Sequence, residues 1–531
     1  MRIISTRLNS AIEPIEPRLL LSAGQLDPHF GDDGVATIAM PGGAVAELHD
    51  LEALPDGRIL GVGTGNSCLI FARLLYDGRP DPSFGGASGA PVGVVDTGLP
   101  GSAGLIEWVG KGRFVFASGS RLIRFNSDGS DDPTFTQDEP SRYKFSFNAA
   151  DIHVQSDGKI LLAGRYKQTA TKSGHFAVAR LNANGTRDRS FGVGGVSDFF
   201  QHTNSPATAV RAMRDGSVFV AGGINHGYPT DLDEYTRQDM ICMKLRPDGS
   251  ADTSYGTSGV GKMTGRFFAG ATMRASLAPD GTATITAAGD DLKVYRLTPP
   301  GVPDATFGTN GSTAAVNFNG SIFRPTLQND GGLLLTFRDF TTPDDAQRED
   351  RLLRFAPTGP IDTSFGTNGV ANLPAAYQPV VLNAASIAND GSILVAGRAV
   401  DGGLLVARFW GDDAPAAQLH ASNLKGAGTA SHRFHVSVRD DVAVAVRTLD
   451  SSDFRVVAPD GTTLRASFVG IDARRAPTLA GVNLKLAAPG GTWDAADNGP
   501  WRVRLLPSHV FDTDGHAAVG RLIGTFWVRV A

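Results

Sequence analysis

Carboxylates set beside aromatic rings are the groups in this chain best able to hold a ligand, and two stretches concentrate them. The first, 225–239, carries Tyr228, Asp231, Asp233, Glu234 and Tyr235; the second, 339–350, carries Asp344, Asp345, Glu349 and Asp350. Such sets can hold a sugar, a cation or a basic partner. A pair of solvated surface loops would have the same composition. A third group, Asp450, Asp453, Asp494, Asp497, Asp512 and Asp514, falls in turns near the C-terminus. Calcium takes several oxygen ligands of this kind, so a Ca²⁺ site is one reading of these residues. Ordinary Asx turns are the other. Asp512-Thr513-Asp514-Gly515 is only a fragment of an EF-hand loop, which needs further acidic positions and a terminal Glu. No other cofactor is expected.

Other residue types offer less. The 11 histidines include no H-E-x-x-H pair, and His432 and His435, three apart on a strand, point to opposite faces. Cys68 and Cys242 lack C-x-x-C spacing and read as two separate small strand residues. No G-x-S-x-G, Walker loop or strand-borne G-x-G-x-x-G is present. No catalytic residue is therefore predicted.

The elements that would position these groups follow from composition and repetition. The chain has 531 residues, 41% of them hydrophobic, which is enough for several packed domains. With 49 Lys and Arg against 54 Asp and Glu, its net charge of −5 is spread without long runs of one sign. That balance argues against nucleic acid or a polybasic membrane contact. No stretch reaches the ~18 apolar residues of a membrane helix. The 65 glycines show no collagen period and point to many tight turns between short strands.

A pattern [RK]-[LF]-x3-G-x2-D-x2-[FY] recurs six times, beginning with Arg73…Asp81…Phe84, Arg124…Asp132…Phe135 and Arg180…Asp188…Phe191. It continues at Lys244…Asp252…Tyr255, Arg296…Asp304…Phe307 and Arg354…Asp362…Phe365. The mean period is about 56 residues, which marks a repeat architecture. Each period also holds an Asp-Gly, Gly-Lys-Gly or Gly-Gly turn before a short apolar strand, as in Asp157-Gly158-Lys159-Ile160-Leu161, giving seven turn-strand units. Four short antiparallel strands per unit make a propeller blade. Equivalent Arg and Asp residues on every unit read as a turn or ion-pair clamp, and the aromatic as filling between blades.

The ends of the repeat region are complementary halves: Asp27…Phe30 lacks a preceding arginine, and Arg408-Phe409 lacks a following D-x-x-F. The strand near 34–40 is therefore expected to join 380–409 as the outermost strand of the seventh blade, leaving no open sheet edge at the seam.

LDPHFGDDGV, QSDGKILLAG, FAVARLNANG and IDTSFGTNGV resemble the delta-60 repeat, a bacterial β-propeller repeat of largely unknown function. Ile15-Glu16-Pro17-Arg18-Leu19-Leu20-Leu21-Ser22-Ala23 is similar to the LEPR-type N-terminal motif of planctomycete and other bacterial envelope proteins, with Ile15 in place of the usual leucine. That likeness implies export or surface anchoring. After Trp410 the pattern stops, and 411–416 reads as a linker. Strands at 434–438, 454–457, 466–469, 482–486, 501–505 and 525–530 then match an immunoglobulin-like sandwich. Pro489-Gly490-Gly491-Thr492-Trp493-Asp494 resembles an Ig-like module of bacterial surface proteins, with Trp493 and Trp501 as core or turn anchors.

The expected fold is all-β: residues 1–24 an export or anchoring segment, 25–410 a seven-bladed β-propeller, 411–416 a linker and 417–531 an Ig-like β-sandwich. The expected function is a non-catalytic binding or adhesion scaffold, extracellular or in the cell envelope, monomeric, with a protein or glycan partner. The alternative is a glycosidase or lyase using acidic residues of the propeller face.

Overall fold

The computed structural model describes residues 23–530 except 86–89, 120, 137–146, 167–174, 200–205, 214, 226–234, 269–271, 290, 318–319, 329, 340–349, 379, 389, 412–415, 441–443, 477–478, 507–508, 512–517 and 519–520. It is all-β, built mainly of four-stranded antiparallel sheets of the propeller-blade type, with no α-helix among the described residues.

The first seven sheets follow the repeat. Sheet one is Ala46–Ala53, Ile59–Gly65, Cys68–Leu74 and Val94–Pro100; sheet two is Leu105–Gly110, Arg113–Ser118 and Arg121–Asn126. Residues 137–146, which follow sheet two in the chain, lie outside the described residues. Sheet three is Phe147–Val154, Ile160–Tyr166, His175–Leu181 and Val196–Phe199; sheet four is Ala207–Ala212, Val218–Asn225, Tyr235–Leu245 and Val260–Phe268. Sheet five is Thr272–Leu277, Ala283–Ala288, Asp291–Leu297 and Val316–Asn317. In sheet six the first strand is split into Gly320–Ile322 and Thr326–Leu327, ahead of Leu333–Asp339, Asp350–Phe355 and Val370–Ala371. The break contains Pro325, which has no N–H for a ladder.

Sheet seven closes the series. Val381–Ile387, Ile393–Arg398 and Leu404–Phe409 are followed by Val35–Ile38 from the other end, with Val35 opposite Ala407 and Ile38 opposite Leu404. The first strands pack against one another in order from sheet one to sheet seven, and that of sheet seven packs back onto sheet one, so they form a ring around an axis.

The repeat aromatics explain why the sheets stack. Seven apolar clusters alternate with the seven sheets, and each holds one of them: Phe30, Phe84, Phe135, Phe191, Tyr255, Phe307 and Phe365. All seven are essentially buried, and a blade cannot supply such a core alone. The repeat glycine is required by the same packing. Gly249 adopts φ +84°, and a Cβ there would lie 2.5 Å from Ser197 Oγ and 2.8 Å from the Gly192 nitrogen of the preceding unit.

Beyond 416 two further four-stranded sheets share one core. One is ordered Ala416–His420, Ser431–Arg439, Leu479–Ala487, Ser467–Ala476; the other Thr463–Leu464, Phe454–Val457, Gly499–Leu505, Arg521–Val528. Trp493 and Trp501 meet edge to face in that core, with ring centres 4.9 Å apart.

Candidate functional site

Two polar systems organise the ring, one near its periphery and one at its axis. In the first, Arg73 donates from Nε to Asp81 at 2.7 Å and from Nη2 to Ser83 at 2.9 Å, and its guanidinium lies 4.4 Å from the Phe84 ring centre. Its Nη1 donates to the Ser127 carbonyl of the next unit. Arg124 repeats this with Asp132, Thr134, Phe135 and the Ala183 carbonyl, and Arg180 with Asp188, Ser190, Phe191 and the Pro247 carbonyl. Arg408 does so across the seam, pairing with Asp27, lying over Phe30 and donating to the Tyr76 carbonyl at 2.9 Å. Each arginine thus holds its own D-x-x-F turn and the turn of the next unit together. Hydrogen bonds from Ser83, Thr134 and their own arginines hold Asp81 and Asp132 down at about 2. Sheet six departs: Arg354 turns to Gln328, Asp330 and Asp362.

The second system lines the axis. The first strand of each sheet has one edge without a strand partner, and its N–H groups need acceptors. Side chains of the preceding sheet supply them. Asp50 accepts from the Ile106 N–H at 3.0 Å, Glu52 from Trp108 at 2.6 Å, Glu107 from Val154 at 3.0 Å and Asp151 from Val210 at 2.8 Å. Between sheets six and seven, Asp350 accepts from Leu382 at 2.7 Å while Arg338 holds both its oxygens. Asn383 closes the ring by donating to the Leu48 carbonyl at 2.8 Å.

Arg324 sits in the broken first strand of sheet six. It pairs with Asp151 on sheet three, and its Nη1 lies 3.6 Å from Asp50 on sheet one. Neither sheet neighbours sheet six, so the side chain must cross the axis. Burial, partly offset by Arg324, pushes Asp50 up to about 6 and raises Asp151 as well. Glu52 is pushed up to about 8, first by burial and then by the charge of Glu107, whose carboxylate also lies 3.2 Å from His153 Nδ1. Burial and the nearby Glu107 thus favour the acid form of Glu52, the form a proton donor needs.

The first-strand signal was present in the sequence. Asp50, Asp151 and Arg324 each lie seven residues before a turn glycine, Gly57, Gly158 and Gly331, so they occupy one repeat position; Ala209, Arg274 and Ala384 occupy it in other units. Only aligning the units on that turn brings the opposite charges into one register.

The acidic loop residues are placed differently. Tyr228, Asp231, Asp233, Glu234, Asp344 and Asp345 lie outside the described residues, as do Asp512 and Asp514. Tyr235 begins the third strand of sheet four. Loops 226–234 and 340–349 connect the second and third strands of sheets four and six. Asp450 and Asp494 each cap a short 3-10 turn, accepting from the Ser452 and Ala496 N–H groups, while Asp453 and Asp497 accept from the Asp450 and Asp494 N–H groups. These four carboxylates are engaged in capping boxes. Among the described residues no group of three or more His, Cys, Asp or Glu is arranged to hold a metal. Cys68 and Cys242 are free thiols on separate sheets. His432 is buried and His435 half-buried on opposite faces of one strand.

These features define an all-β repeat protein of blade-like sheets around a polar axis. Residues 54–84 and 155–191, in sheets one and three, match a family described as "Domain of unknown function (DUF5122) beta-propeller". No curated protein matches the chain. Among solved structures, regucalcin of Agrobacterium tumefaciens, described as a calcium-binding protein, is 14% identical, with 61% of this chain and 84% of that one covered and a TM-score of 0.30. Prolyl oligopeptidase B from Galerina marginata is 11% identical over 80% of this chain and 55% of its own, with a TM-score of 0.37. A protein of unknown function from Bacteroides caccae is 12% identical over 62% and 99%, with a TM-score of 0.30.

Proposed function

We propose that the chain is a seven-bladed β-propeller of delta-60-type repeats followed by an Ig-like sandwich, and that it is a non-catalytic binding scaffold of the cell surface or extracellular space. The observation that carries this reading is the commitment of the axial carboxylates: Asp50, Glu52, Glu107 and Asp151 each accept a backbone N–H of the next sheet. Carboxylates so engaged tie strands together, and loops carried on such a ring suit recognition. The partner is a glycan or a protein, met through the loops 226–234 and 340–349 or through the sandwich. Surface location rests on the likeness of residues 15–23 to the envelope-protein motif. The test is a binding screen of the full chain against glycans and cell-surface extracts, beside a variant with 226–234 replaced by a short glycine linker. Retention of at least one glycan or protein supports the scaffold; silence across the screen argues against it.

A second reading, hydrolysis or elimination on a polysaccharide, is favoured by one observation, the nearness of the Glu52 and Glu107 carboxyls, which with burial raises Glu52. It requires turnover that Glu52→Gln and Glu107→Gln both abolish.

A further inference from the structure

One face of the sandwich has a charge pattern that its described residues do not answer. In the sheet containing Phe454–Val457, Gly499–Leu505 and Arg521–Val528, alternation sends Phe454, Val456, Trp501, Val503 and Phe526 inward, where they are buried. The opposite face carries Arg455, Arg502, Arg504, Leu522 and Trp527, with Arg529 stacked on it. Arg455 stands directly across from Arg504, and Arg504 across from Leu522. Arg502 and Arg504 are exposed, as are Leu522 and Trp527 at 46% and 40%. The Arg529 guanidinium lies 5.0 Å from the Trp527 ring centre.

Like charges directly opposite on neighbouring strands destabilise a sheet. Here none of the four arginines has a carboxylate partner among the described residues; Arg455 donates only to the Ser452 and Phe454 carbonyls. The imbalance extends to the whole segment. Residues 417–531 hold 13 Lys and Arg against 10 Asp and no Glu, a net charge of +3, whereas the residues before them total −8.

We infer that this face binds a linear acidic polysaccharide, its carboxylates or sulfates paired with Arg455, Arg502 and Arg504 and one sugar ring seated on Trp527. The inference rests on the binding-scaffold reading and names its partner. Alternate residues along a strand are roughly 6.8 Å apart and neighbouring strands about 4.8 Å, so Arg455, Arg502 and Arg504 rise from closely spaced backbone positions on one face, an arrangement suited to anions repeated along a polymer. Guanidinium groups bind carboxylates in two-point fashion. The exposed indole supplies a flat apolar platform. A peptide would instead pair with a strand edge. A bilayer would need a wider apolar stripe than Leu522 and Trp527 provide.

The test measures binding of the full chain to alginate, with neutral dextran, poly-glutamate, phosphatidylserine vesicles and duplex DNA as other arms. Alginate should bind, should weaken as salt rises, and should lose at least about tenfold in affinity in the double variant Arg502→Gln/Arg504→Gln, as expected when two charge-assisted contacts go. Trp527→Ala should weaken alginate more than poly-glutamate. Both variants alter exposed side chains, and a melting curve verifies their folding. Absence of alginate binding, or equal binding of poly-glutamate, vesicles or DNA, overturns the inference. Alginate or dextran binding untouched by both variants also overturns it, while leaving the scaffold reading standing.

Discussion

Arg324 is the residue on which the axis depends. It faces two carboxylates from sheets that do not adjoin its own, and replacing it by methionine leaves Asp50 and Asp151 near each other without a cation. Because its side chain is 38% exposed, the loss is smaller than for a fully buried pair. Arg324→Met should cost about 1–3 kcal/mol, read as a lower urea midpoint with unchanged slope. An unchanged midpoint would show that the crossing contact contributes nothing. Buried acids of the axis and of the sandwich also set the response to pH. Asp50, Glu52 and Asp453 have folded values of about 6, 8 and 6, above the ordinary carboxyl value of about 4. Their contribution is therefore complete below about pH 4 and is lost as pH rises through 6 and 8. Asp81 and Asp132, held down at about 2, act oppositely and lose their contribution as pH falls through the region below 4. Thermal stability at constant ionic strength should consequently decline from pH 5 to pH 8; a rise over that range would contradict the buried-acid account.

At the scale of elements, the repeat arginines bind neighbouring sheets, and their strength should follow their geometry. Arg180 is nearly buried and reaches Asp188, Ser190 and the Pro247 carbonyl, although Lys159, 3.0 Å from Asp188, softens its loss. Arg180→Ala should cost about 3 kcal/mol. Lys244 stands in the same repeat position with its Nζ 3.8 Å from Asp252 and more exposure, so Lys244→Ala should cost less than about 1 kcal/mol. Equal losses in the two denaturation curves would mean that the clamp is not what holds the sheets. The seam makes a separate prediction. Removing residues 1–38 takes away Val35–Ile38 and Phe30 and bares the Leu404–Phe409 edge. Light scattering should then show association, whereas a monomer with native melting would count against closure by this strand.

Across the whole molecule, much of the architecture could be read from sequence because repetition displays packing directly. The spacing of arginine, glycine, aspartate and aromatic gave the units, and the half-repeats at Asp27 and Arg408 gave the seam. Sheet six has a first strand broken at Pro325, which the repeat spacing does not foretell. The axial system was harder to see. Its members sit on different units, and what joins Arg324 to Asp50 and Asp151 is distance across a ring, which no local spacing encodes. The arginine face of the sandwich was hidden for a related reason: Arg455 and Arg504 become neighbours only through strand register. Loops 226–234 and 340–349 stand out by composition, yet composition sets no geometry.

We propose that this ring binds without transforming what it binds. The most direct measurement incubates the full chain with a polysaccharide it retains and follows polymer length and new chain ends over time, beside Glu52→Gln. Retention with unchanged polymer length in both proteins is the predicted result. Progressive shortening by the native chain, abolished by Glu52→Gln, would contradict the claim and make the Glu52 and Glu107 pair an active site.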